Sequence, residues 1–147
     1  MNNPAMTDHV QQCLQWALQT VEQQNHGYVQ TPHLLEALFE VDQPWLLSLG
    51  RELNIDTDRI RQLNRSNLQN LPQGQKAQNA LDAGANQALV RAQSHRESMG
   101  DRFIGTEHLL MGLAESGDAC GEMLRNQGMK AGTLRNTFLK LRKGQNI

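Results

Sequence analysis

Two histidines sit in the same local pattern. His33 lies in Thr31-Pro32-His33-Leu34-Leu35, and His108 lies 75 residues on in Thr106-Glu107-His108-Leu109-Leu110. An imidazole there could ligate a metal, contact a partner or cap a helix. Metal ligation needs further donors at set spacing, and the chain has no His-Glu-x-x-His and no Cys-x-x-Cys. Both are therefore read as duplicated core or capping histidines. Asp101 and Glu107 flank the turn Asp101-Arg102-Phe103-Ile104-Gly105-Thr106-Glu107-His108. They read either as a loop aspartate and a helix-dipole glutamate, or as an exposed acidic pair that contacts peptide or a basic partner. No catalytic residues are expected. There is no Gly-x-Ser-x-Gly, and no glycine is followed by lysine, so nucleophile-elbow and phosphate-loop chemistry drop out. No metal and no cofactor are expected.

These residues must be positioned by helices. Leu and Ala number 33, whereas Val and Ile number 9. Straight-chain and small residues favour helix over strand. A shift of 75 aligns residues 12–38 with 87–113 at 9 identities in 27, including Leu14/Leu89, Ala17/Ala92, Thr31/Thr106, His33/His108 and Leu34-Leu35/Leu109-Leu110. The chain is a duplication. After a one-residue offset change, Ile55 and Ile60 match Met129 and Leu134.

Each copy is expected to form four helices. Thr7 caps the first, whose apolar stripe is Val10, Cys13, Leu14, Ala17, Leu18 and Val21. Thr31 caps the second, with Pro32 at its first position. Pro44 starts the third, and Asp56 caps the fourth. In the second copy Asp82 stands where Thr7 stood, Thr106 caps the sixth helix, Gly128 ends the seventh, and Leu134, Phe138 and Leu141 mark the eighth. Lys140-Leu141-Arg142-Lys143 reads as a last turn whose cations suit the helix dipole. The expected fold is all-α: eight helices, a four-helix repeat duplicated about a pseudo-twofold axis. Residues 1–147 form one domain, with repeat one at 7–69, a linker at 70–80 and repeat two at 81–142. A groove is expected where the halves meet.

Composition excludes other classes. A length of 147 residues suits one domain and is too short to add a full nucleotide-hydrolysing domain. No apolar run approaches ~18 residues, so no membrane partner is expected. Net charge is −1 without a Lys/Arg cluster, so no nucleic-acid partner is expected. Cys13 and Cys120 fall on apolar faces and read as reduced, buried thiols of a cytoplasmic protein. Gln and Asn number 29, scattered, and read as solvated surface.

The two copies of (Tyr28/Phe103)-(Val29/Ile104)-x-Thr-x-His-Leu-Leu-x-x-Leu resemble the double repeat of the Clp N-terminal domain of AAA+ unfoldases. The likeness spans about residues 7–142 and is most specific at Ile104-Gly105-Thr106-Glu107-His108-Leu109-Leu110. It implies a non-catalytic module, borne by an ATPase ring outside this chain, that binds unfolded or aggregated polypeptide or an adaptor protein. The ClpB-like branch fits best. A ClpV-like domain that grips a type VI secretion sheath protein and a free-standing Clp adaptor are the alternatives. In the ClpB-like branch a cap threonine, an aspartate before the second turn and a glutamate in the Gly-Thr-Glu-His motif handle substrate. These match Thr7, Asp101 and Glu107, with His108 beside them. ClpC-like members carry that glutamate in both repeats to recognise phosphorylated arginine, whereas here the first copy has Pro32.

Overall fold

The computed structural model describes residues 5–142. Seven helices run in order: α1 Asp8–Gln24, α2 Thr31–Leu53, α3 Thr57–Gln69, α4 Ala83–Ser98, α5 Thr106–Ala114, α6 Ala119–Asn126 and α7 Ala131–Arg142. Among the described residues none is long and apolar enough to cross a membrane. Lys143 of the basic tail lies outside the described residues.

Among the described residues seven helices are counted where eight are expected, because the second and third run together as α2 across a break. Pro44 lacks an N–H and its ring crowds the preceding turn, so the helix must yield nearby. It yields at Asp42, with φ −145° and ψ 57°, and then resumes with Pro44 inside α2. Both limbs bury apolar residues: Leu34, Leu35, Leu38 and Phe39 before the break, Leu46 and Leu49 after it.

Several helix starts follow the expected chemistry. Thr7 Oγ1 accepts from the Val10 N–H at 3.3 Å, Asp82 Oδ1 from Ala85 at 2.8 Å, and Asp56 Oδ1 from Arg59 at 3.1 Å. Gly128, with φ +96°, follows the α6 C-cap in the left-handed region that an L side chain avoids. Thr31 and Thr106 do not cap. The caps are Gln30 and Gly105, one residue earlier. Thr31 instead donates its hydroxyl to Asp118 Oδ2 of the other repeat at 2.7 Å.

The repeats exchange matching backbone bonds. The Thr7 N–H donates to the Ile104 carbonyl at 2.9 Å, and the Ile104 N–H to the Ala5 carbonyl at 3.0 Å. Seventy-five positions on, Asp82 donates to Val29 at 2.8 Å, and Val29 donates to Ala80 at 2.9 Å. The segment before the first helix of each repeat is thus tied to the turn before the second helix of the other. Residues 70–80, expected as a linker, lie along the first turn: Gln75 donates to the Asn25 carbonyl and Gln78 to the Gly27 carbonyl.

The core draws on both repeats. Cys13, Ala17, Leu34, Leu35, Leu38, Leu109, Leu110, Leu113 and Leu124 belong to one buried cluster. In repeat two, α4 presents Ala85, Ala88 and Ala92, and Gly112 lets α5 approach so closely that a Cβ there would collide with the Ala88 carbonyl oxygen.

Candidate functional site

The turn before α5 gathers three of the four expected site residues and one more. Gly105, the N-cap of α5, donates its N–H to His108 Nδ1 at 2.8 Å, so the imidazole caps its own helix from the third position. The ring hydrogen is then assigned to Nε2, which meets Asp101 Oδ2 at 2.6 Å. Asp101 Oδ1 accepts from Arg142 Nη1 at 2.7 Å, and Arg142 Nη2 reaches Glu107 Oε1 at 3.2 Å. Arg96 donates to the Asp101 carbonyl at 2.8 Å and ties the turn to α4.

Burial sorts the roles. The side chains of His108 and Asp101 have no exposure, Arg142 keeps 9% and Glu107 keeps 15%. Of the two readings of this pair, the exposed one does not hold for Asp101, whose carboxylate is interior and meets His108 and Arg142, whereas Glu107 borders solvent. Burial lowers the pKa of His108 below its usual value, with the Asp101 carboxylate opposing. Burial raises the pKa of Glu107, with Arg142 opposing.

Thr7 stands apart. Its hydroxyl is spent on the α1 cap, although its backbone is bonded to Ile104 within the same turn. Phe103, in that turn, is 40% exposed, and its repeat counterpart Tyr28 is 44% exposed.

Arg142 is the site residue missed from sequence. In sequence it reads as a dipole cation and Leu141 as a core residue, yet Leu141 is 52% exposed. A signal was present: Leu134, Phe138 and Arg142 recur every four residues and share one face of α7, so the arginine continues the buried stripe.

In repeat one the counterpart of Asp101 is His26. The Gln30 N–H donates to His33 Nδ1 at 2.9 Å, and His33 Nε2 meets His26 Nδ1 at 2.8 Å. Both histidines are thus caps with a buried partner. Burial pushes the His33 pKa down to about 4 and also lowers that of His26.

Several cavities border repeat one. One of about 290 Å³ lies where the repeats meet, between Thr31 and Pro32 of α2, Asn67 of α3 and Asp118 to Cys120 at the start of α6. Another of about 350 Å³ includes Trp16, His26 and Leu68 in its walls. Among the described residues no three His, Cys, Asp or Glu side chains converge as a metal site would require.

The model of the Clp repeat (R) N-terminal domain matches residues 5–127. The chain belongs to this family. It is 34% identical over 137 residues to chaperone protein ClpB 1 of Parasynechococcus marenigrum, a match covering 89% of this chain and 15% of that protein. It is 24% identical to chaperone protein ClpB of Bacteroides thetaiotaomicron, over 100% of this chain and 17% of that one. The Clp repeat chain thus spans about a sixth of the length of these relatives. Among solved structures, the Hsp104 N-terminal domain of Candida albicans superposes with a TM-score of 0.81 at 19% identity, covering 97% of this chain and 95% of that one. The N-terminal domain of the ClpV1 ATPase of E. coli EAEC gives 0.79 at 23% identity, covering 96% and 87%. At these identities the likeness establishes the fold.

Proposed function

We propose that this Clp N-domain is a non-catalytic receptor of a ClpB-type chaperone. It captures unfolded or aggregated polypeptide, or an adaptor carrying it, and delivers it to the ATPase ring of a longer parent chain. The observation that supports this reading is the lopsided match: nearly all of this chain aligns with ClpB chaperones, of which it covers 15–17%.

The site fits weak, general capture. Glu107, paired with Arg142, borders solvent four residues along the chain from the exposed Phe103, so this stretch offers a carboxylate and an aromatic face. Thr7 sits at the same turn through its backbone bond to Ile104. Asp101 and His108 are positioning residues that hold the turn from inside. A small exposed surface of this kind binds without commitment, as a receptor that must release its client requires.

The test is binding of an unfolded model protein to wild-type chain and to Phe103→Ala and Glu107→Gln. Weaker binding by both variants with unchanged folding is expected. No contact with wild-type chain, together with full activity of the longer parent after deletion of this domain, would sink the reading. The second reading is a ClpV-type domain that grips one helix of a sheath protein; the ClpV1 N-domain shares this fold. A pull-down that returns a single sheath protein, not mixed unfolded chains, would select it.

A further inference from the structure

The two repeats end the same hydrogen-bonded relay differently, and the difference leaves a vacancy. In repeat two, His108 hands its Nε2–H to Asp101, and Arg142 fills the space beyond. In repeat one, His33 hands its Nε2–H to His26 Nδ1 at 2.8 Å. His26 Nδ1 therefore accepts, and its own hydrogen lies on Nε2. The repeat alignment that pairs Ile60 with Leu134 pairs Leu68 with Arg142. Leucine carries no polar group to meet His26, and where the arginine's counterpart would reach there is a cavity of about 350 Å³. That size lies in the ~300–1,000 Å³ range of ligand sites.

The walls describe the ligand. Trp16 and Leu68 supply an apolar side, and the buried His26 offers its Nε2–H from within. Glu36, also buried, pairs with Arg61 Nε at 3.1 Å and Arg65 Nε at 3.0 Å, and Glu40 Oε1 pairs with Arg61 Nη2 at 2.6 Å, so two carboxylates balance two guanidiniums there. Gln23 and Gln24 from α1, Gln69 from α3 and Gln73 beyond it form the rim. Each glutamine amide both donates and accepts. Residues that composition assigns to solvated surface are thus gathered, in part, around one polar recess.

We propose that this cavity is a second polypeptide subsite, one that binds the main-chain amides of an extended segment. His26 Nε2–H donates to a peptide carbonyl, the rim glutamines pair with adjacent N–H and C=O groups, and Trp16 covers the chain. Such contacts ignore side-chain identity, which suits a receptor of varied clients. The inference deepens the receptor reading above and rests on it.

The test uses the full 147-residue chain, labelled with ¹⁵N and titrated with the uncharged peptide acetyl-Gly-Ala-Gly-Ala-Gly-amide. Shifts are expected at the Trp16 indole N–H and the rim glutamine amides. Leu68→Arg places an arginine where the other repeat has one, at a half-buried helix position, and should weaken those shifts about tenfold, equivalent to ~1.4 kcal/mol. The double variant Gln23→Ala/Gln73→Ala changes only exposed residues and should weaken them severalfold, which keeps the test valid if Leu68→Arg fails to fold. Unchanged shifts in both variants, or the same shifts from maltotriose and none from peptide, would overturn the subsite. Reduced, carboxymethylated α-lactalbumin separates the two levels. If wild type and Leu68→Arg bind it equally, the subsite falls and the receptor reading stands; if wild type binds neither probe, both fall.

Discussion

Acidification from pH 7 to pH 5 should destabilise this fold chiefly through His33. A histidine in the unfolded chain titrates near 6.5, whereas burial holds His33 neutral in the fold down to about 4. Between those values the unfolded state binds more protons, so stability falls as pH falls and is fully present only above 6.5. Each pH unit separating the two pKa values is worth about 1.4 kcal/mol, so the whole interval amounts to ~3 kcal/mol. About 2 kcal/mol of it appears between pH 7 and pH 5. His26 and His108, also lowered by burial, add loss in the same direction. Glu107 is raised by burial from 4.5 and opposes it at the low end of the interval. Asp118, lowered below 3.8 by its bonds to Thr31 and Gly121 despite burial, lies outside the interval. Urea unfolding followed by circular dichroism at both pH values supplies the numbers. His33→Asn keeps an acceptor for the Gln30 N–H and does not titrate. The variant should be less stable at pH 7 yet lose about 2 kcal/mol less than wild type on acidification. An equal loss in both proteins would refute the reasoning, because the proton uptake would then lie elsewhere.

Other changes have equally local causes. Gly112→Ala drives a Cβ into the Ala88 carbonyl oxygen and should cost about 1–3 kcal/mol in denaturant unfolding, by forcing α4 and α5 apart. Thr7→Ala removes the α1 cap and should lower stability by ~1 kcal/mol; binding of an unfolded model protein that also weakens would show a contact role beyond the cap. Cys13 and Cys120, their thiols pushed up to about 12 by burial, should resist iodoacetamide at pH 8 in the native state and react fully in urea.

Much of the fold is legible in sequence because its signals are local. The Thr7, Asp56 and Asp82 caps bond to an N–H three residues away, so the motif contains its own partner. The apolar stripes of α1 and the first limb of α2 repeat at helical spacing, and most of their residues are buried as that spacing requires. The His33 and His108 caps were legible as duplicated interior residues for the same reason. Thr31 was misread because a threonine before proline suits two places, and the one it takes is decided by Asp118, 87 residues away. The candidate site was legible as a set of residues, with Asp101, Glu107 and His108 close in sequence, but not in its roles.

By itself, then, the sequence determined the helical class, the duplication, most helix boundaries and the buried stripes. Each depends on spacings of three or four residues or on comparison of one repeat with the other. Tertiary structure alone decided which polar groups are interior and what satisfies them. Asp101 could have faced water; it is buried because Arg142, 41 residues on, arrives from α7 with a guanidinium at 2.7 Å. A buried charge is tolerable only with such a partner, and which residue arrives depends on how the last helix packs against the turn. The corresponding place in repeat one receives Leu68 and stays open, a difference that appears only when α3 and α7 are seated beside their histidines.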